Sequence, residues 1–249
     1  VDKIQRDLDR RRPGQSNITS QRKEADKVEV LSGFADGFTL GSPICLLVHN
    51  RDVRSSDYSS IREAYRPSHG DFTYHKKFGV APLSGGGRLS ARETVARVAA
   101  GSIAEQLIKT INPRVDVLAF VSSIKDIECH DFSSSDLTKD IIDSSPIRCP
   151  DKKTASKMLA LIEMAKKEGD SLGGCIRCFI SNPPVGLGQP VFDKFEADLA
   201  KAMMSIPATK AFEIGLGFKA TTLLGSEHND PFCLEGEKIK MTKNSAGGT

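Results

Sequence analysis

The chain has 249 residues, enough for one large domain or two small ones to bury a hydrophobic core. Hydrophobic residues make up 39% and charged residues 27%, which is typical of a globular protein, and the longest apolar runs are too short to span a bilayer. The formal net charge of +3 is too small to indicate nucleic-acid binding by itself.

The N-terminal part of the sequence predicts one helix and a pair of strands. Apolar spacing indicates a helix over residues 2–12 with Ile4 and Leu8 turned inward. Apolar runs at 28–31 and 43–49 flank two turn signals, so we expect antiparallel strands there. Residues 50–83 that follow have no sustained period and are rich in charge and histidine. Loops of this length inside a compact domain are more often functional than idle.

The stretch 84–102 has three consecutive glycines at 85–87, followed by Arg88 and a helix. Glycines ahead of a helix N-terminus leave backbone N–H groups able to approach an anion, and Arg88 and Arg92 add forked donors at the same point. This pattern matches neither the P-loop nor the dinucleotide fingerprint, and an ordinary structural turn is the alternative reading.

Ser90 and Glu93 have the spacing of a capping box, so Ser90 is predicted to be the N-cap of this helix. Pro113 is expected to end the helix. Its inward face is predicted to consist of Val95, Val98, Ala99, Ile103, Leu107 and Ile111.

The second half of the sequence alternates between strands and helices. A strand that is apolar on both faces, and is therefore expected to be buried, is predicted at 115–124, and a second strand at 175–181. Helices are predicted at 154–168 and 191–206, and a last alternating strand at 212–218. Hairpin strands followed by strands alternating with long helices argue for an α+β layered fold.

The six cysteines lack the dense spacing of a disulfide framework. Cys175 and Cys178 form a C-x-x-C pair, but no second pair or nearby histidine completes a zinc site, so no metal is expected. We interpret the cysteines as buried, reduced thiols, which suits a reducing, cytosol-like compartment.

Arg10, Arg11 and Arg12 form a basic cluster, and further arginines follow along the chain. Few aromatic residues accompany them, which disfavours a stacking platform for single-stranded nucleic acid. A small, highly anionic ligand fits this distribution better, and solvated surface charge is the alternative.

Eight stretches, in order along essentially the whole chain, together resemble the chorismate synthase family. They are DLDRRRPGQS (7–16), LSGFADGFTLGSPI (31–44), RDVRSSDYSSI (51–61), YRPSHGDFTYHKKFG (65–79), GGGRLSARETVARVAAGSIA (85–104), KKEGDSLGG (166–174), GLGQPVFDKFEADLAKAMMSIPATKAFEIGLGF (186–218) and KNSAGG (243–248).

The resemblance implies a fold, an activity and a cofactor. The family fold is a β-α-β sandwich with long helices layered between antiparallel sheets, and it assembles as a homotetramer. The family reaction is the 1,4-anti elimination of phosphate from 5-enolpyruvylshikimate 3-phosphate to give chorismate, the last step of the shikimate pathway. It uses reduced FMN although it is redox-neutral overall. A cytoplasmic lyase of aromatic amino acid biosynthesis is therefore expected, with a plastid location as the alternative, and with no membrane or nucleic-acid partner.

The resemblance also implies roles for individual residues. His69 matches the histidine that protonates reduced flavin near N1, a task that suits a side chain with an ordinary pKa of ~6.5. We expect Asp71 to orient its ring, and we leave the other histidines as structural. The implied substrate-binding residues are Arg11, Arg66, Ser90 and Arg92. The implied FMN-binding residues are Arg88, Leu89, Ser90, Pro207 and Ala208.

The chain departs from the family pattern in three places. The opening Gly-Glu-Ser-His-Gly motif and the C-terminal Lys-Pro-Thr and Arg-His-Asp-Pro segments are absent. Asn17 replaces a usual arginine, so either Arg22 supplies the lost charge or the phosphate site is weaker. Leu89 stands for a serine, which is a milder change because backbone contacts would survive it. We therefore expect residues 1–249 to form a single core domain truncated at both ends relative to the family. If the chain is a genuine fragment, it should bind FMN poorly and not turn over; if it is the middle of a longer enzyme, both functions are retained.

Two alternatives to the enzyme remain open at this point. One is a catalytically inactive core that only binds flavin or assembles with other subunits. The other is a basic RNA- or DNA-binding module, whose binding would weaken steeply with salt. Within the enzyme hypothesis, NADPH as reductant of the flavin is also open, because family members differ and no dinucleotide fingerprint is present.

Overall fold

A computed structural model describes residues 1–20, 22–52, 64–80 and 87–248. Its contacts divide the chain into two compact units, each considered by itself below. The first unit comprises residues 1–88 and 92–184, and the second comprises 89–91 and 185–249. The single core domain expected over residues 1–249 stays a prediction.

The described residues form both helices and strands. The helices are α1 (Asp2–Arg11), α2 (Asp71–Phe78), α3 (Thr94–Ile111), α4 (Lys139–Asp143), α5 (Lys152–Lys167), α6 (Phe195–Met204) and α7 (Gly225–His228). The strands are β1 (Val28–Ser32), β2 (Phe34–Ala35), β3 (Phe38–Thr39), β4 (Cys45–Val48), β5 (Asp116–Ile124), β6 (Ile127–Glu128), β7 (Gly174–Ser181), β8 (Gly188–Gln189), β9 (Asp193–Lys194), β10 (Phe232–Glu235) and β11 (Lys238–Met241). None of these helices combines the length and the apolar run that crossing a bilayer requires.

Helix α1 confirms the prediction for residues 2–12, because Ile4 and Leu8 lie one helical turn apart on a single face and both are buried. That face packs on Val95 and Ala99 of α3, which are also buried. Burying side chains of this size stabilises the fold by roughly 1.5–3 kcal/mol each. The pair β1–β4 is antiparallel, as predicted, with Val28 opposite Val48. These contacts fix the C-terminal end of α1 beside the start of α3.

The predicted inward face of α3 is wrong in its second half. Leu107 is 62% exposed and Ile111 is 72% exposed, whereas Val95 and Ala99 are buried. The reason is that the short helix α1 packs on Val95 and Ala99, in the N-terminal half of α3. The prediction that α3 ends before Pro113 is confirmed, since its last residue is Ile111.

The larger core lies on one face of the sheet β6–β5–β7. Strands β5 and β7 pair antiparallel from Asp116 opposite Ser181 to Ile124 opposite Gly174. Leu118 and Phe120 point into the core, whereas Val117 is 45% exposed, so the prediction of a strand buried on both faces is wrong. Residues of a strand alternate between the two faces of a sheet, and here only one face is covered within the described residues.

Helices α4 and α5 cover that face of the sheet. Ile142 of α4 and Met158 of α5 are fully buried in the same core cluster as Phe120. Each helix has a side-chain N-cap: Thr138 accepts a hydrogen bond from a backbone N–H of α4, and Asp151 accepts two from α5. The helix predicted at 154–168 is therefore confirmed, although it begins two residues earlier.

Two predictions in the second unit are wrong. Residues 212–218 form no strand; instead a 3₁₀-helix spans Gly217–Thr222. Gly215 has φ 58° and Gly217 has φ 53°, and left-handed backbone at two alternate positions is incompatible with an extended strand. The helix predicted at 191–206 begins only at Phe195, because residues 193–194 pair with β8 as strand β9.

The cysteines are all free, but only two of them are buried as predicted. Cys129 and Cys149 lie in the larger core, and burial raises the pKa of the Cys129 thiol to about 11. The other four are exposed: Cys45, Cys175, Cys178 and Cys233. Cys175 and Cys178 lie on β7, which is an edge strand of its sheet, so the expectation that they are buried is wrong. No group of three or more metal-ligating side chains occurs among the residues described.

Candidate active site

A cluster of three polar residues surrounds the start of α2. Arg66 donates two hydrogen bonds to the Asp71 carboxylate, from Nε to Oδ2 and from Nη2 to Oδ1, each 2.8 Å long. His69 Nδ1 lies 2.8 Å from Asp71 Oδ1 and 3.1 Å from Arg66 Nη2. The structure thus brings together the predicted catalytic histidine, one predicted substrate-binding arginine and the carboxylate expected to orient the ring.

Local backbone geometry explains why these three side chains meet. The His69 N–H donates to the Arg66 carbonyl, and Ser68 between them has a left-handed φ of 57°, so residues 66–69 form a tight turn. Helix α2 then begins at Asp71, whose negative charge is favourable at a helix N-terminus. The turn directs Arg66 and His69 back onto that carboxylate.

The Asp71 carboxyl group is buried, with 4% of the residue exposed, and it remains strongly acidic. The hydrogen bonds from Arg66 lower its pKa from 3.8 to about 2, although burial acts to raise it. The nearby His69 also lowers the pKa of Asp71. Asp71 is therefore an anion near neutral pH. Both polar contacts that the His69 ring makes with described residues use Nδ1.

A second cluster joins Arg11, at the end of α1, to Arg92, in the 3₁₀ turn before α3. Asp26 Oδ2 lies 3.2 Å from Arg11 Nη1, and Asp26 Oδ1 lies 2.9 Å from Arg92 Nη2. Arg11 Nε also donates to Thr94 Oγ1 at 3.2 Å, and Arg92 Nη2 donates to the His49 carbonyl at 3.2 Å. Two predicted substrate-binding arginines thus meet at one carboxylate.

Asp26 is accompanied by a second buried acid, Glu24. Glu24 Oε2 lies 3.8 Å from Arg92 Nη2, and its carboxylate accepts backbone N–H hydrogen bonds of 3.1 and 3.0 Å from Arg51 and Asp52. Reasoning from the sequence missed both acids. The segment 24–27 contains three charged residues and one alanine, a composition that is typical of an ordinary surface loop. Only the tertiary contacts distinguish it.

The predicted capping box is wrong. Helix α3 begins at Thr94 with Glu93 as its N-cap and no side-chain cap hydrogen bond. Glu93 is thus the N-cap in place of the predicted Ser90, and its carboxylate accepts a 2.5 Å hydrogen bond from Arg88 Nη1. The Arg88 side chain remains 78% exposed. Of the glycine run ahead of it, Gly85 and Gly86 lie outside the described residues.

The other predicted FMN-binding residues belong to the second unit. Leu89 and Ser90 group with it, as do Pro207 and Ala208, which follow α6. Ala208 has a left-handed φ of 68°, which is unusual for a residue with a side chain, and the Thr209 N–H closes the turn onto the Ile206 carbonyl. The described part of this unit therefore presents a tight turn at the predicted cofactor residues.

A cavity of about 470 Å³ lies beyond the C-terminal end of α1. Arg10, Arg11, Arg12 and Arg148 line it, together with the apolar Ile18. Asn17 stands where the family pattern usually has an arginine. Its side-chain amide donates a hydrogen bond to Glu163 of α5. Three of the other histidines have ordinary partners: His49 with Glu29, His75 with Tyr65, and His130 with Asp151.

Comparison with known proteins identifies the family. A model of the family described as chorismate synthase matches residues 1–249. Chorismate synthases of Prochlorococcus marinus strains MIT 9515 and AS9601 are 55% and 53% identical over 250 residues, a match that covers all of this chain and 68% of each relative. The chain belongs to the chorismate synthase family.

A crystal structure of a chorismate synthase gives the fold. It matches with a TM-score of 0.75 and 29% identity, covering 100% of this chain and 70% of that one. The predicted α+β class, the β-α-β sandwich of chorismate synthase, is therefore confirmed. The activity of the family is likewise that of this chain: a lyase reaction that forms chorismate in the last step of the shikimate pathway.

Proposed function

We propose that the chain binds 5-enolpyruvylshikimate 3-phosphate through Arg11, Arg66, Ser90 and Arg92 and eliminates its phosphate to give chorismate. The observation that carries the proposal is that all three arginines are held by buried carboxylates. Asp26 pairs with Arg11 and Arg92, and Asp71 pairs with Arg66. The substrate carries one phosphate and two carboxylates, groups that the planar guanidinium recognises with paired hydrogen bonds.

Held arginines bind an anion better than freely rotating ones. An arginine side chain that is ordered on binding costs up to about 1.5 kcal/mol in lost rotamer freedom. The Arg11, Arg66 and Arg92 side chains retain exposures of 21%, 31% and 21%, so each is fixed and yet accessible at the surface. This supports their use as a prearranged binding site rather than as solvated charge.

We assign His69 the role of moving a proton during turnover. Its ring is fixed through Nδ1 by Arg66 and Asp71, so Nε2 is the nitrogen at which a proton would be taken up or delivered. Asp71 stays ionised near neutrality and restrains the ring plane, a common arrangement for a catalytic imidazole. The Arg66–Asp71 pair would therefore serve both the substrate and the histidine.

The residues assigned to FMN fit a phosphate-bearing cofactor. Arg88 presents an exposed guanidinium, Ser90 a hydroxyl, and the Pro207–Ala208 turn a left-handed backbone that allows close approach. Leu89 in place of serine leaves backbone contacts intact. When bound, reduced FMN supplies the electron-rich centre that makes a 1,4-anti elimination accessible without net oxidation. The chain's own residues bind, orient and exchange a proton.

Three finer expectations rest on the family resemblance. We expect the functional assembly to be a homotetramer and its compartment to be the cytoplasm, with a plastid as the alternative. NADPH is a candidate reductant of the flavin in this chain, as in some relatives of the family. Size-exclusion chromatography with light scattering tests the homotetramer. An NADPH oxidation assay with added FMN tests NADPH as the reductant.

The proposal is tested by an anaerobic assay of the chain with chemically reduced FMN and 5-enolpyruvylshikimate 3-phosphate. Chorismate is followed by absorbance, and released phosphate is measured in parallel. We expect equal amounts of both products. A flavin spectrum perturbed by substrate without either product would show binding without catalysis and contradict the proposed turnover. A flavin spectrum that substrate does not change, together with no product, would contradict the assignment of the binding residues as well.

A further inference from the structure

Asp26 is the residue at which Arg11 and Arg92 converge, although the two arginines are far apart in sequence. The residue is 1% exposed, and each of its carboxylate oxygens faces a different guanidinium. Helix α1 supplies one arginine and the turn before α3 supplies the other. The packing of α1 on α3 therefore creates this convergence, and Asp26 occupies its centre.

Asp26 combines three features that are unfavourable for stability. Its φ of 44° is left-handed, its charge is buried, and Oδ1 has no aligned hydrogen-bond donor among the described residues. The 2.9 Å contact of Oδ1 with Arg92 is therefore an ion pair by distance without hydrogen-bond geometry. Residues in strained or incompletely paired states persist where the surroundings fix them, and they are typical of sites that hold functional groups.

The surroundings do fix Asp26. Gln5 of α1 donates from Nε2 to the Asp26 carbonyl at 3.2 Å and accepts the Val28 N–H at 3.1 Å, which clamps the chain on both sides. Glu24 is held by two backbone N–H groups after β4 and lies 3.8 Å from Arg92. The residues on either side of Asp26 are thus held by hydrogen bonds to α1 and to the segment that follows β4.

We propose that Asp26 is a positioning residue that orients the guanidinium groups of Arg11 and Arg92 toward the anionic groups of the substrate. The inference rests on the proposed function, which assigns the two arginines to substrate binding. Two guanidinium groups side by side repel each other, and the carboxylate between them offsets that repulsion. Each oxygen holds one arginine, so neither side chain can rotate away without losing an ion pair, and their order precedes ligand binding.

A purely structural ion pair would affect stability alone, so a matched control is needed. Glu105 is also a partly buried carboxylate that bridges two cations from different helices, Lys3 at 2.7 Å and Lys139 at 2.9 Å. Neither lysine is assigned to substrate or cofactor. Glu105→Gln therefore removes a comparable carboxylate without touching the proposed site.

The test variant is Asp26→Asn, because asparagine tolerates left-handed backbone and because this substitution removes only the charge. Calorimetry measures the affinity of the full chain for 5-enolpyruvylshikimate 3-phosphate in the absence of flavin. NMR of arginine Nε–H groups reports the mobility of Arg11 and Arg92. We expect the dissociation constant to rise about tenfold or more, as for loss of a charge-assisted contact, and both arginine signals to become mobile. Glu105→Gln should lower stability and leave affinity within about twofold of wild type.

The outcomes separate the inference from the function on which it rests. If wild type binds the substrate and Asp26→Asn binds equally well, Asp26 is not a positioning residue and the proposed function stands. If wild type itself does not bind, the assignment of the arginines fails and the inference fails with it. Should Asp26→Asn not fold, the NMR spectrum of the wild-type chain without ligand decides the question. Arg11 and Arg92 Nε–H groups that are rigid before binding support the inference, and groups as mobile as that of the exposed Arg6 would overturn it.

Discussion

The Arg66–Asp71 ion pair gives a quantitative test of the site's energetics. The pKa of Asp71 is lowered from 3.8 to about 2, chiefly by the two 2.8 Å hydrogen bonds from Arg66. Each pKa unit of difference between the folded and unfolded states is worth ~1.4 kcal/mol. Asp71→Asn should therefore lower the free energy of unfolding at neutral pH by about 2 kcal/mol.

The pH dependence of this loss follows from the direction of the pKa change. A carboxyl group with a depressed folded-state pKa stabilises the fold fully above its unfolded pKa, here 3.8, and loses that contribution as the pH falls through about 2. The difference between wild type and Asp71→Asn should be constant from pH ~7 to ~5, and it should shrink as the pH falls from about 4 to about 2.

Urea unfolding followed by circular dichroism at a series of pH values measures this difference directly. Asp126→Asn is the matched control, because Asp126 is exposed in the turn between β5 and β6, and it should change stability by less than about 0.5 kcal/mol at every pH. The reasoning would be refuted if wild type and Asp71→Asn had the same free energy of unfolding at neutral pH. It would also be refuted if their difference were as large at pH ~2 as at neutral pH.

Four further substitutions test the site and the core. His69→Ala should slow turnover ~10²–10⁴-fold while substrate affinity stays near wild type, and unchanged turnover in steady-state kinetics would remove His69 from the mechanism. Arg92→Ala should weaken substrate binding about tenfold or more by calorimetry, and retained affinity would make its assigned role wrong. Phe120→Ala should destabilise the larger core by about 3–5 kcal/mol in urea unfolding, and a loss below ~1 kcal/mol would contradict its central place there. Asp151→Ala should cost about 1 kcal/mol through loss of the α5 cap, and Asp151→Asn, which can still cap, should restore most of it.

The elements that the sequence predicted well are those specified by local patterns. Helix α1, helix α5 and strand β7 lie within two residues of their predicted bounds. Each is defined by an apolar period of its own and by turn or capping residues at its ends, and both signals are readable over a short window. His69 could be singled out because the motif that resembles the family, Arg66 to Asp71, lies within six residues, whereas the turn at 66–69 was not predicted.

The failed predictions concern segments whose residues are compatible with more than one local structure. At 212–218 the alternation of large and small residues predicted a strand, but the glycines adopt left-handed backbone and the segment ends in a 3₁₀-helix. At the start of α3 a capping box was predicted, but Glu93 pairs with Arg88 instead. In the first case a contact from elsewhere in the unit accompanies the change, because the Leu216 N–H donates to the Ser245 carbonyl. In the second case the competing contact is local, since Arg88 lies only five residues before Glu93.

The sequence by itself determined the family and the α+β class, because the motifs that carry the resemblance are read from residue identity and order along the chain. The same motifs imply the arginines and the histidine that we propose for the site. The tertiary structure alone decided how the site is held together. Asp26 and Glu24 look like surface charges in the sequence, and they become buried anchors only when α1 packs on α3 and β4 ends beside them. The physical reason is that a buried carboxylate requires cations from several elements at once, and their convergence is a property of the packed chain.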